Sequence, residues 1–334
     1  MKLVAFETED WEAEALRALA PPHDLVCVGG PLTGATVGDY ADAEVVTAFL
    51  RSELNAAVLR QLPKLKLVAT RSTGFDHIDL AYCRAARVSV CNVPDYGDDT
   101  VAEHTFALLL AVSRRIVAAA ERTRHGDFST DGLRGFDLAG RTLGVIGAGR
   151  IGRRVIRIGR GFGMQVLATD TRQDPQAAGE LGFSYSSLDG LIARSDVITL
   201  HVPGGEATRD LISDLAFAAM KPGAVLINTS RGGVVSPAAL VRALASGRIA
   251  GAGLDVLDEE ALVREEAEIF RAGVSVPAER LQSLIASNVL LRRPNVVVTP
   301  HIAYNSDEAV RRIIRTTVEN IRGFAEGEAH NLVP

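Results

Sequence analysis

The sequence predicts an α/β protein made of two doubly wound parallel sheets, on three observations. Short uncharged runs alternate with helical patterns along nearly the whole chain, as parallel strands joined by crossover helices require. The stretch from Thr142 to Asp170 reads as a complete βαβ unit with glycines at its first turn. At 334 residues the chain is long enough for two domains, each with its own core.

Residues 3–6, 25–28, 45–49, 67–70 and 88–91 read as strands, and 11–19, 56–62 and 80–86 as helices between them, the second with Asn55 as N-cap. These make the first 99 residues a small doubly wound unit. Its loop from Arg71 to Asp76 follows a strand's carboxyl end, where open α/β sheets place ligands. Residues 92–99 carry proline, glycine and acids and read as a linker. A helical pattern then runs from Val101 to about Arg122, nearly apolar all round at 106–110, which predicts burial on several sides. Strands follow at 143–146 and 166–168, then at 197–200, 224–228 and 249–254, with helices at 187–193, 211–220 and 237–245. Residues 261–293 are helical in pattern but have no place in the strand rhythm; 296–298 is a last strand and 306–325 a last long helix.

Gly147-Ala148-Gly149-Arg150-Ile151-Gly152 fits G-x-G-x-x-G between the first strand and the helix of the βαβ unit, and Asp170 ends its second strand, about 20 residues on. Gly147 permits the tight turn, Gly149 lets a pyrophosphate approach the backbone, and Gly152 lets the helix pack close to the strand. The helix N-terminus favours the phosphates. Asp170 can bond the ribose hydroxyls and repel a 2′-phosphate, which selects NAD, although Arg172 lies two residues on. Arg150, Arg153, Arg154, Arg157 and Arg160 fall at helical spacing opposite Ile151, Val155, Ile158 and Phe162. The expectation is a solvated face on a helix whose apolar side covers the sheet, with only Arg150 placed to meet a phosphate.

Composition narrows the function classes. A content of 47% hydrophobic and 23% charged residues is ordinary for a globular enzyme, and a net charge of −5 argues against nucleic acid as a partner. The longest apolar run, 106–112, is too short to cross a bilayer, and no secretory leader is visible after Met1-Lys2. Cys27, Cys83 and Cys91 are odd in number and lack metal-like spacing, so they read as thiols in a reducing compartment, the cytoplasm, with no metal site.

Three loops after the dinucleotide unit each follow a strand's carboxyl end: Asn228-Thr229-Ser230-Arg231-Gly232-Gly233, Asp255 to Glu260, and Thr299-Pro300-His301. Singly, Arg231 reads as a surface cation, Glu260 as an acid in a helix's first turn, and His301 as a structural histidine. Beside a nicotinamide the three together match reduction of a 2-keto acid. The arginine fork holds the carboxylate and polarises the carbonyl. The histidine gives the carbonyl oxygen a proton, and the glutamate orients the histidine and favours its protonated form.

With these motifs in this order, the chain resembles the D-isomer-specific 2-hydroxyacid dehydrogenases over essentially its whole length. The matching features are the glycine motif with Asp170, His201-Val202-Pro203, the loop 228–233, Asp255-Val256 with Glu260, and Thr299-Pro300-His301; the stretches 71–80 and 93–105 look most like the D-lactate dehydrogenase branch. The resemblance implies a Rossmann NAD-binding domain, 100–299, inserted into a discontinuous flavodoxin-like substrate domain, 1–99 with 300–334, and a cleft at the join. It implies that Arg231 binds substrate, His301 is the acid–base group and Glu260 its partner. The backbone at Thr73 and Gly74 would hold the carboxylate, with Tyr96 beside the substrate. Arg150, Ile151, Asp170, His201, Val202, Pro203, Thr208, Asn228, Thr229, Ser230 and Asp255 would line the cofactor, Asp255 facing the nicotinamide amide. It also implies a homodimer formed through the dinucleotide-binding domain, to which the apolar helix after Thr100 is suited.

Two departures from the family pattern stand out. Ala261 takes the place of the usual proline after the glutamate, and the segment from Ala261 to Arg293 is longer than usual. The expected substrate pair is pyruvate and D-lactate. The alternatives are phenylpyruvate, hydroxypyruvate or glyoxylate, phosphoglycerate, and a non-enzymatic NAD(H)-sensing corepressor-like role.

Overall fold

The structure is a computed structural model, and it describes residues 1–258, 260, 263 and 277–333. The chain divides into two compact units, Met1–Tyr96 with Asn305–Pro334, and Gly97–Tyr304. Glu259 and Ala261, and with them most of the first half of the long segment 261–293, lie outside the described residues.

The smaller unit holds strands β1 (Lys2–Ala5), β2 (Asp24–Cys27), β3 (Val45–Ala48), β4 (Leu67–Thr70) and β5 (Ser89–Cys91). They pair in parallel in the order β2-β1-β3-β4-β5, a flavodoxin-like sheet. Because side chains alternate across a strand, Leu3 and Ala5 face one core while Val4 faces the other. The first core is closed by Leu16 and by Ile314, Val318 and Ile321 of the Asp307–Glu326 helix, the second by Val58, Leu59 and Cys83. Asn55 is the N-cap, its side chain accepting from the Val58 N–H. That helix ends at Leu59 and not at Leu62, and the chain goes on in tighter turns in which Gln61 N donates to the Val58 carbonyl at 3.0 Å and Leu62 N to the Leu59 carbonyl at 3.1 Å. The predicted helix 11–19 is an α-helix from Asp10 to Leu16 followed by a 3-10 turn, Arg17–Leu19.

The larger unit holds β6 (Thr142–Ile146), β7 (Gln165–Thr169), β8 (Ser184–Tyr185), β9 (Val197–Leu200), β10 (Ala224–Asn228), β11 (Ile249–Leu254) and β12 (Val296–Val298). Their order is β12-β11-β10-β9-β6-β7-β8, all parallel. The chain leaves β6 in one direction for β7 and β8, then returns to β6's other side with β9. That reversal is the point at which open α/β sheets bind ligands. Leu143 and Val145 face one core with Phe106, Leu109 and Val155; Ile146, Leu200 and Leu226 face the other with Leu191, Phe217 and Leu240.

Two helices of the larger unit differ from expectation. The pattern from 101 to 122 is two helices, Asp98–Ser113 and Ile116–Arg124, because Arg115 takes a left-handed conformation (φ 55°) and the Ser113 carbonyl accepts instead from Phe136 N at 3.1 Å. Within the first, Phe106, Leu108 and Leu109 are buried but Ala107 is exposed, so it keeps one open face. The helix placed at 211–220 is confined to Asp214–Ala219, since Ile212 forms a parallel bridge with Val235. In the stretch without a place in the rhythm, Ala278–Leu291 is a helix whose Leu290 packs in the core beneath β10 and β11. Among the short elements not anticipated are β8 and the Pro175–Leu181 helix before it. No helix among the described residues is long and apolar enough to cross a membrane. Burial pushes the Cys83 and Cys91 thiols up, to about 11 and about 12, which leaves both protonated and unreactive.

Asp196 joins the amino ends of the central strands. Its carboxylate accepts from Thr142 N at 2.8 Å and Lys221 Nζ at 3.0 Å. Burial pushes its pKa up, but those two donors more than offset this and hold it below the usual carboxylate range. A depressed folded-state value stabilises the fold above the unfolded pKa, and the contribution is lost as pH falls through the folded one. Asp196→Asn is therefore expected to destabilise the fold by roughly 1–3 kcal/mol near neutrality, with the gap to wild type closing below about pH 4. Urea unfolding of both proteins across that range checks this; a gap independent of pH would refute it.

Candidate active site

The glycine turn sits at the carboxyl end of β6, against the loop that leaves β9. Gly147 has φ 96°, and a Cβ there would collide with the His201 carbonyl. Only glycine suits both demands. A Cβ at Gly152 would strike the Gly147 carbonyl, so the helix starts hard against the turn. At Gly149, by contrast, an added Cβ would meet nothing within 4 Å. Gly149 is also the N-cap of the Arg150–Gly161 helix and supplies no side-chain cap. Open space before an uncapped helix N-terminus fits the diphosphate of a dinucleotide.

Asp170, just past β7, faces the same turn: its carboxylate accepts from Ala148 N at 2.7 Å and Arg172 N at 2.9 Å. Ile151 is half-buried in the first turn of that helix. Arg150 pairs with Asp98 at 2.9 Å, Arg153 with Asp174 at 2.9 Å and Arg154 with Asp99 at 3.1 Å, so carboxylates answer this cationic face. After β9, Val202 and Pro203 continue the His201 loop, and Thr208 Oγ1 donates to the Pro203 carbonyl at 2.7 Å. Burial pushes His201 down to about 3, and its ring bonds Thr199 Oγ1 at 2.9 Å. A neutral, internally bonded His201 is not an acid–base group near neutrality.

The loops after β10, β11 and β12 are adjacent because their strands are. Asn228, fully buried, shapes the first: its Oδ1 accepts from Ser230 N at 3.0 Å and Ser230 Oγ at 2.8 Å, and its Nδ2 donates to the Arg231 carbonyl at 2.9 Å. Arg231 leaves this turn in extended backbone, with Nη1 on the Ser230 carbonyl at 2.8 Å. A Cβ at Gly232 would collide with the Leu257 carbonyl, so the Arg231 loop lies directly on the loop carrying Glu260.

Glu260 bridges two loops. Its Oε1 accepts from Leu257 N at 3.1 Å, and its Oε2 lies 3.0 Å from His301 Nδ1. A carboxylate only accepts, so Nδ1 carries the hydrogen of this bond. His301 itself has φ 55°, and its N–H donates to the Asp255 carbonyl at 2.8 Å.

Asp255 is buried to 1% exposure, and its Oδ1 accepts from Thr299 Oγ1 at 2.5 Å and Ile302 N at 2.9 Å, its Oδ2 from Ala303 N at 2.8 Å. Burial pushes its pKa up, yet hydrogen bonds from His104, Thr299, Ala303 and Ile302 prevail and hold it below the usual carboxylate range. Its side chain thus grips the His301 loop from both sides. His104, which donates into this group, is a site residue that the sequence reading missed. So is Thr105, whose hydroxyl meets that of Thr229 at 2.9 Å.

Thr73, Gly74 and Tyr96 belong to the smaller unit. The Thr73 carbonyl accepts from Asn92 Nδ2 at 2.7 Å, the Gly74 carbonyl from Ser72 Oγ at 2.6 Å, and the Val93 carbonyl from Thr73 Oγ1 at 2.9 Å. Tyr96 is buried, its carbonyl held by the Arg312 guanidinium.

Known proteins align with this arrangement. Residues 106–303 match the NAD binding domain of the D-isomer specific 2-hydroxyacid dehydrogenases. The chain is 34% identical to a D-lactate dehydrogenase of Escherichia coli, covering 98% of each. It is 34% identical to a glyoxylate reductase of Thermococcus litoralis, covering 89% of this chain and 85% of that one. A crystal structure of a D-lactate dehydrogenase from Aquifex aeolicus, complexed with NAD and lactic acid, superposes with TM-score 0.85 at 36% identity, covering 98% of this chain and 96% of that one. The chain belongs to the D-isomer specific 2-hydroxyacid dehydrogenase family, and its larger unit is the family's NAD-binding domain.

Proposed function

We propose that this dehydrogenase interconverts pyruvate and D-lactate, with Arg231, Glu260 and His301 as its catalytic residues. The observation that carries the chemistry is the His301–Glu260 pair at 3.0 Å, adjoining the Arg231 loop and bolted to a buried carboxylate. The choice of pyruvate is supported by full-length similarity to D-lactate dehydrogenases. Glyoxylate is the second reading, supported by similar identity to a glyoxylate reductase.

In the reductive direction Arg231 takes the substrate carboxylate with its planar fork and draws charge onto the carbonyl oxygen. The reduced nicotinamide, when bound, supplies the hydride. His301 delivers its Nε2 proton to the carbonyl oxygen as charge develops there, and Glu260 steadies the imidazolium through Nδ1. The backbone at Thr73 and Gly74 assists in holding the carboxylate, with Tyr96 beside the substrate. On the cofactor side Gly147, Gly149, Arg150, Ile151 and Gly152 receive the diphosphate and Asp170 the ribose hydroxyls. His201, Val202, Pro203 and Thr208, with Asn228, Thr229, Ser230 and Asp255, line the rest of the cofactor, Asp255 on the side of the nicotinamide amide. Asn228 and Asp255 act there mainly by shaping their loops. The enzyme works as a cytoplasmic homodimer joined through its NAD-binding unit, on which Ile116, Val117 and Phe128 are exposed apolar side chains.

Pyruvate, phenylpyruvate, 2-ketobutyrate, hydroxypyruvate and glyoxylate, each with NADH and with NADPH, decide the substrate. Pyruvate with NADH should give the highest kcat/KM, and NADPH a value lower by about tenfold or more, since a 2′-phosphate beside Asp170 sets like charges together. A higher value with glyoxylate would transfer the assignment to that substrate, and no turnover with any would overturn the reading.

His301→Gln should lower kcat by roughly 10²–10⁴-fold. Because reduction consumes the His301 proton and oxidation needs the neutral ring, reduction should weaken and oxidation strengthen as pH rises. A pH–rate profile unchanged by Glu260→Gln would contradict the pairing.

Arg231→Lys should fail to replace the arginine, because an ammonium cannot form the two-pronged contact. Wild-type KM and kcat in that variant would show that the fork is not used.

A further inference from the structure

The Asp98–Ser113 helix lies over β11 in fixed phase. A Cβ at Gly251 would sit 2.9 Å from Val112 Cγ1, and one at Gly253 3.0 Å from Leu108 Cβ, so helix and strand meet almost backbone to backbone. Four residues of helix rise about 6 Å and two residues of strand about 6.6 Å. The series Val112, Leu108, His104 therefore keeps step with Gly251, Gly253, Asp255. His104 arrives with Nε2 2.9 Å from Thr299 Oγ1 and 3.3 Å from Asp255 Oδ1. The one hydroxyl hydrogen of Thr299 goes to Asp255 at 2.5 Å, so Thr299 accepts from His104, and Nε2 carries the hydrogen.

The next residue repeats the device on the neighbouring loop. Thr105 Oγ1 donates to the Val101 carbonyl at 2.8 Å, so the Thr229 hydroxyl, 2.9 Å away, is the donor between the two threonines. Thr229 stands two residues before Arg231, and Thr299 two before His301.

We propose that His104 and Thr105 are positioning residues that register the loops of His301 and Arg231 against a single turn of helix, fixing the spacing between proton donor and carboxylate clamp. The inference rests on the roles proposed above for Arg231 and His301. Both residues act through the threonine each touches.

Pyruvate reduction by the full chain with NADH separates the two effects. His104→Ala should lower kcat about tenfold and displace the pH limb, while Thr105→Val should raise the pyruvate KM about tenfold with that limb in place, since small misplacements of reacting groups cost this much. His104→Gln keeps a donor and Thr105→Ser keeps the hydroxyl, so each should recover most of the loss. Wild-type kcat, KM and pH profile in both variants would overturn the proposal. So would losses that accompany lowered thermal stability and that neither conservative variant repairs. The His301 ring signals, titrated by NMR, need no turnover. A His301 titration in His104→Ala superimposable on wild type overturns the positioning role, whereas a wild-type enzyme inert toward every keto acid, with that titration displaced, overturns only the substrate reading.

Discussion

The larger unit's chemistry depends on one buried charge. Taking a carboxylate out of water costs several kcal/mol even after relaxation. Asp255 remains charged because hydroxyl, backbone and imidazole donors converge on its two oxygens. Apart from the His104 imidazole, those donors belong to the loop of His301, from Thr299 to Ala303. The carboxylate thereby compels the loop to wrap around it, and His301 accepts a left-handed backbone that a residue with a Cβ adopts at a cost of order 1–3 kcal/mol. Removing the charge would take away both the loop's anchor and the force that holds His301 in that conformation.

Strand order explains why so few contacts suffice. β10, β11 and β12 are neighbours in sequence and in the sheet, all parallel, so the loops that leave them emerge side by side. Gly232 closes the distance between the first two loops, and Glu260 links the second to the third. β6 and β9 are paired neighbours at the switch point, and the glycine turn that leaves β6 meets the His201 loop that leaves β9 there. The glycine turn and the Glu260–His301 pair thus lie along the carboxyl edge of one sheet, as a consequence of parallel pairing.

Features carried by local chemistry were legible in the sequence. The alternation of runs, the glycine motif, the Asn55 cap and the three chemical loops depend on residue type and near spacing, and each appears in the structure where it was read. Features that depend on distant partners were not. Nothing near Arg115 announces a helix break, since its cause is an N–H at Phe136. The two-residue β8 is too short to show a period. His104 was passed over within an apolar helix. The spacing of His104, Leu108 and Val112 was visible, but its meaning required knowing that Gly251 and Gly253 lie opposite.

A motif identifies a position before it identifies the partner that the side chain serves. Asn228 and Asp255 were read as lining a cofactor, yet Asn228 bonds within its own turn and Asp255 clamps the His301 loop. Both side chains shape the loops that carry Arg231 and His301. The distinction changes what substitution would do. A residue that only contacted the cofactor would alter cofactor affinity, whereas one that builds the loop alters the placement of Arg231 or His301 as well. Buried polar groups with every partner inside the protein act in the second way, and the geometry assigns both residues there.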